Sequence, residues 1–90
     1  MAIGDAGSTF CAELNRLANG GTYPARTAFL DEQGAANAWA GTSGLGIIAA
    51  LNIKNGVTNP SLYQDLNAVC NALAGTTGKS AVDALRGISS

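Results

Sequence analysis

The hexapeptide Gly75-Thr76-Thr77-Gly78-Lys79-Ser80 carries the glycines, lysine and serine with which a phosphate-binding loop holds a nucleotide. Such a loop also requires a glycine five residues before its Gly-Lys-Ser end, after a strand; Leu73 stands there, inside a helical pattern. Gly41-Thr42-Ser43-Gly44 repeats the loop without the lysine, so the hexapeptide reads as a structural turn whose N–H groups would hold an anion only weakly. Ser80 lacks the Asp-Ser-Leu context of a serine that bears a prosthetic group. The chain has no histidine, which removes the commonest general base and metal ligand together. Asp5, Glu13, Asp31, Glu32, Asp65 and Asp83 are scattered and are expected to be solvated or to cap helices. Cys11 and Cys70 cannot complete a four-ligand zinc site. Each lies among apolar neighbours at helical spacing, which favours free buried thiols over a disulfide. No catalytic, cofactor-binding or metal-binding residue emerges, and the expectation is a protein that is not an enzyme and has no small-molecule substrate.

Two further sets of residues are candidates for recognition. Asn37, Asn52 and Asn71 recur four residues before a glycine, preceded by Ala36, Leu51 and Cys70. An asparagine in the last turn of a helix can reach orphan carbonyls or the amides of the next loop, so joining one unit to the next is the stronger reading. Tyr23, Trp39 and Tyr63 are the candidate protein-interface residues, because such side chains dominate protein contacts.

The elements that must position these residues recur along the chain. A glycine followed ten residues later by leucine occurs five times: Gly4 with Leu14, Gly20 with Leu30, Gly41 with Leu51, Gly56 with Leu66 and Gly75 with Leu85. The pattern predicts an all-α fold, a compact bundle or short helical coil of about five short helices, each preceded by an AGTTG-type loop and all sharing one Ala/Leu core. In the first unit, a helix opening at Gly7 or Ser8 places Phe10, Leu14 and Leu17 inward and Glu13 and Arg16 outside that face, and Asn19-Gly20-Gly21 ends it. Pro24 and Pro60 are read as first helical residues. In the second unit the leucine mark and the asparagine mark are about 240° out of phase, which predicts a break at Gly34 between helices 25–33 and 35–40. In the fourth they are one turn apart, which predicts one helix from Pro60 to Ala74. The fifth unit gives Ala81, Leu85 and Ile88 as its inward face, and Trp39 is expected to be the largest packing element.

Ninety residues make one domain, 1–90, with roughly 60 to 65% of the unfolded chain's surface available for burial. Only 12% of residues are charged, with net charge -1 and no basic cluster, so nothing favours nucleic acid or an anionic membrane. The longest apolar run, Leu45 to Leu51, is far short of the roughly 20 residues that span a bilayer. The N-terminus lacks a basic start and a continuous apolar segment, and synthesis in the cytoplasm without Sec export is expected.

The phrases ANAWAGTSGLGIIAALN and CNALAGTTGKSAVDALRGIS resemble the Ala/Gly/Thr-rich repeats of small virion proteins, and of tail-protein C-terminal segments, from tailed phages of actinobacteria. The resemblance extends from about Leu14 to Ser90; NGGTYP replaces AGTTG in the N-terminal third, which could make that third a specialised attachment surface. It implies a virion location and a non-enzymatic building block, capsid-decorating or minor capsid in type, whose partners are the major capsid protein or tail proteins, with self-association admitted. The alternatives are a tail-associated (minor tail) protein and a small cytosolic regulator of one partner protein.

Overall fold

A computed structural model describes residues 8–56 and 62–89. In them the chain forms five α-helices and no strand: α1 (Phe10–Ala18), α2 (Glu32–Ala40), α3 (Ile47–Lys54), α4 (Leu66–Ala74) and α5 (Ala81–Arg86). The all-helical bundle read from the sequence is the fold.

Each helix starts where its backbone can be capped. Thr9 accepts from the Ala12 N–H at 3.1 Å, Asp31 from Gly34 at 3.3 Å and Ser80 from Asp83 at 3.4 Å, whereas Gly46 and Asp65 open α3 and α4 without a side-chain cap bond. Gly41 and Gly75 end α2 and α4 at φ 75° and 72°, a left-handed conformation that other L-residues adopt only at a cost. The N–H of the next threonine then returns to the last turn, Thr42 to Asn37 O and Thr76 to Asn71 O, both at 3.0 Å.

α1 packs on α2, α2 on α3, α3 on α4, α4 on α5, and α5 returns to α1; no other pair of helices comes into close contact. The helices thus form a closed ring, 34 × 28 × 17 Å. Its core is small: Leu14, Leu17, Leu51, Leu85, Val69 and Cys70, with alanines between them that let short helices approach closely. A single register runs through it. The residue before each asparagine mark, together with the residue before that, is buried in every unit: Ala35 and Ala36, Ala50 and Leu51, Val69 and Cys70, and equivalently Ala84 and Leu85.

Several expectations need correction. The segment 25–31 is not helical, so Pro24 does not open a helix, and α2 runs unbroken through Gly34. Gly34 is a first-turn residue: a Cβ there would lie 2.6 Å from the Asp31 carboxylate that caps the helix. Leu30, the leucine of the second glycine-to-leucine pair, is 90% exposed. The fourth helix starts at Leu66, and residues 62–65 are not helical; Pro60 lies outside the described residues, as does Gly4. Both losses have one cause. The backbones of Phe29 and Tyr63 are each bonded through N–H and C=O to an asparagine side chain, an extended pairing that a helix would forbid.

Glu13 and Arg16 are also placed differently. Both are fully buried, and Arg16 Nε donates to Glu13 Oε1 at 2.7 Å. α1 is covered by α2 and by α5, so its flank is no longer a solvent face. Trp39 is only half-buried; it packs on the core's edge with the Lys54 ammonium 5.2 Å from its ring centre.

Candidate functional site

An asparagine amide matches a peptide group: its oxygen accepts up to two bonds and its N–H₂ donates two. Asn37 uses all of this. Its Nδ2 donates to Gln33 O in its own helix and to Leu45 O in the next segment, both at 2.8 Å, while its Oδ1 accepts from the Leu45 N–H at 3.2 Å and from Thr42 Oγ1 at 2.8 Å. Asn71 does the same with Asn67 O, Lys79 O, Lys79 N–H and Thr76 Oγ1. Asn52 clasps Ile48 O together with the N–H and C=O of Tyr63. The three recurring asparagines therefore bond each helix to the backbone just before the next.

Sequence reasoning missed a fourth member. Asn15 clasps Cys11 O and both backbone groups of Phe29, each at 2.9 Å. Its signal was the pair Leu14-Asn15, identical to Leu51-Asn52; no glycine follows four residues later, because Asn19 caps α1 before Gly20. A fifth joint closes the ring with another residue. Arg86 occupies the asparagine position of α5, after Ala84 and Leu85, and reaches the residue before the N-cap of α1: Nη2 donates to Ser8 O at 2.6 Å and Nε to Ser8 Oγ at 2.8 Å. A guanidinium is long enough to span that gap and holds a fixed fork of donors. Arg86 also pairs with Asp83.

The hexapeptide 75–80 is thus the α4–α5 joint. Lys79 is fastened by its backbone, Ser80 caps α5, and the loop 41–46 makes the same turn with Gly44 and Gly78 both at φ 74°.

The candidate interface residues occupy separate surroundings. Tyr23 donates its hydroxyl to Glu13 Oε2 and lies 5.8 Å from the Arg16 guanidinium, tying the α1–α2 connection to α1. Burial pushes the Glu13 carboxyl upward, but hydrogen bonds from Ser8, Tyr23 and Arg16 and the Arg16 charge outweigh it and hold its pKa below the ordinary 4.5. Arg16 Nη2 reaches Leu85 O at 2.8 Å, and the buried Nη1 has no hydrogen-bond partner among the described residues. Tyr63 lines a groove on α4, and Trp39 meets Lys54. Cys11 and Cys70 are free thiols; Cys11 is half-buried, and burial pushes Cys70 up to about 12. Among the described residues no group of three or more thiols and carboxylates converges on a metal site, and no helix is long and apolar enough to cross a membrane.

Two open grooves of about 520 and 510 Å³ lie beside α4 and α2. They are formed by residues 34 positions apart: Tyr63 answers Phe29, Asp65 answers Asp31 and Asn67 answers Gln33. The loops 76–78 and 42–44 wall them. The hairpins α2–α3 and α4–α5 are therefore equivalent in these groove walls as well as in their turns.

No known protein family, curated protein or solved structure matches the chain.

Proposed function

We propose that the protein is a non-enzymatic structural component of a phage virion, capsid-decorating or minor capsid in type, which binds the major capsid protein. One observation supports this most: the two stretches that resemble phage virion repeats fall on the two equivalent hairpins, α2–α3 and α4–α5. Their polar residues of greatest chemical promise are used to build joints, which leaves surface shape as the working part. Among the described residues the fifth joint returns to α1 and closes the ring, and this suits a unit copied many times on a larger lattice over one that polymerises end to end.

A tail-associated protein is the second reading, because the same phrases also resemble tail-protein segments. Quantitative mass spectrometry of purified particles separates them. Tens to hundreds of copies per particle are expected for a capsid protein and a few for a tail protein, whereas absence from particles would refute both.

A further inference from the structure

Four joints of the ring are held by amides and the fifth by charges. The bonds of Asn15, Asn37, Asn52 and Asn71 run to backbone groups and threonine hydroxyls, none of which titrates. The Cys11 thiol, which Asn15 also touches, has its pKa raised above the ordinary 9.0, chiefly by burial, and is neutral in acid. The polar part of the α1–α5 joint is instead two guanidinium contacts: Arg16 Nη2 to Leu85 O at 2.8 Å, and Arg86 to the carbonyl and hydroxyl of Ser8.

Both contacts lead to one carboxylate. Glu13 accepts from Arg16 Nε on Oε1, from Tyr23 on Oε2, and from the Ser8 hydroxyl, which itself accepts from Arg86 Nε. Arg16 is fully buried, and among the described residues Glu13 is its one charged partner. A neutral Glu13 would therefore leave a guanidinium buried without a counter-charge, the most costly way to lose an ion pair. No second carboxylate stands in reserve. From α5, the exposed Asp83 pairs with Arg86; from the start of α2, Asp31 and Glu32 act on Cys11 rather than on Glu13; Arg26 in the α1–α2 connection is exposed, and the Tyr23 phenol is neutral throughout the acid range. Because the closed ring favours the ionised carboxyl, the contribution of Glu13 to closure is complete above 4.5 and is lost as pH falls through its lower folded value.

We infer that Glu13 is an acid-sensitive latch: its protonation opens the ring at the α1–α5 joint while the four asparagine joints stay closed. The inference does not depend on a virion location.

The test follows two sets of signals in ¹H–¹⁵N spectra of the full chain as pH is lowered from about 7 to about 3. The Nε–H groups of Arg16 and Arg86 report the fifth joint, and the amides of Phe29, Leu45, Tyr63 and Lys79 report the other four. Both Nε–H signals are expected to shift together and to lose at least about tenfold of their protection from exchange in one transition, with the four amides still protected. Glu13→Gln should abolish that transition, and its four amides show whether it is folded. Asp83→Asn, which removes the carboxylate on the other side of Arg86, should leave the transition in place. Where Glu13→Gln does not fold, the unsubstituted chain and Asp83→Asn decide. Loss of all four amides in the same transition, a response of one arginine without the other, a transition that survives Glu13→Gln or disappears with Asp83→Asn, or two Nε–H signals unchanged down to the lowest pH would each overturn the latch.

Discussion

The joints α2–α3 and α4–α5 are shorter than the joints α1–α2 and α3–α4, yet all four share a left-handed glycine and a clasping asparagine. In the short pair, clasp and anchor are 8 residues apart, and a left-handed glycine, a returning threonine N–H and a second glycine already fold the chain back. In the long pair the separations are 14 and 11: the left-handed glycines Gly20 and Gly56 follow α1 and α3 as well, but the anchors Phe29 and Tyr63 lie well beyond them along the chain. The same amide nevertheless fixes all four anchors. What repeats is the grip on the next backbone, and loop length is free to vary because closing a longer loop costs little.

The largest difference between the joints lies at the first, where Tyr23 is tied to the buried Glu13. Glu13→Ala removes that tie and leaves the Arg16 charge unpaired, at a cost of about 3–5 kcal/mol in urea unfolding. The sign of the pH dependence follows from the depressed Glu13 pKa: its contribution is complete above the ordinary carboxylate value of 4.5 and is lost as pH falls through the lower, folded value. Unfolding curves of Glu13→Gln should show a weaker loss of stability over that acid range than the unsubstituted chain.

Next, Asn52→Ala should cost about 3 kcal/mol and Asn71→Ala about 2 kcal/mol, since both strip bonds from partly buried backbone, and the second leaves the short Gly75–Gly78 turn in place. Equal costs would mean that the glycine turn contributes nothing to the short joint. Gly75→Ala tests that turn alone: strain at positive φ should lower stability by about 1–2 kcal/mol. The smallest effect is a gain. Gly46 stands where α5 has its Ser80 cap, and its Cβ position is open, so Gly46→Ser should stabilise by a few tenths of a kcal/mol in the same assay.

The fold was legible to the extent that pattern follows packing. Leu51 and Leu85 are buried as the glycine-to-leucine spacing implies, and α3 and α5 lie where that spacing places them. The same spacing misplaced Leu30 because the long connections are anchored by polar side chains, which leave no apolar period in the segments they hold. Asn37, Asn52 and Asn71 join the units as their recurrence implies. Asn15 and Arg86 were hidden, one by the absence of its closing glycine and the other by its different side chain. The burial of Glu13 and Arg16 was not legible, because a helical period cannot tell a flank that faces water from one covered by both neighbours. The equivalence of the two grooves appears only when 29–44 and 63–78 are superposed in register, which requires knowing that Phe29 and Tyr63 are anchors.

Amide hydrogen exchange at Phe29, Leu45, Tyr63 and Lys79 tests the asparagine clasp most directly. These N–H groups lie outside every helix yet donate to Asn15, Asn37, Asn52 and Asn71. All four are expected to exchange orders of magnitude more slowly than the amides of Ser43 and Thr77 in the same kind of loop, and each should lose that protection when its own asparagine becomes alanine. Exchange of the four at the rate of Ser43 and Thr77 in the unsubstituted chain would contradict the clasp.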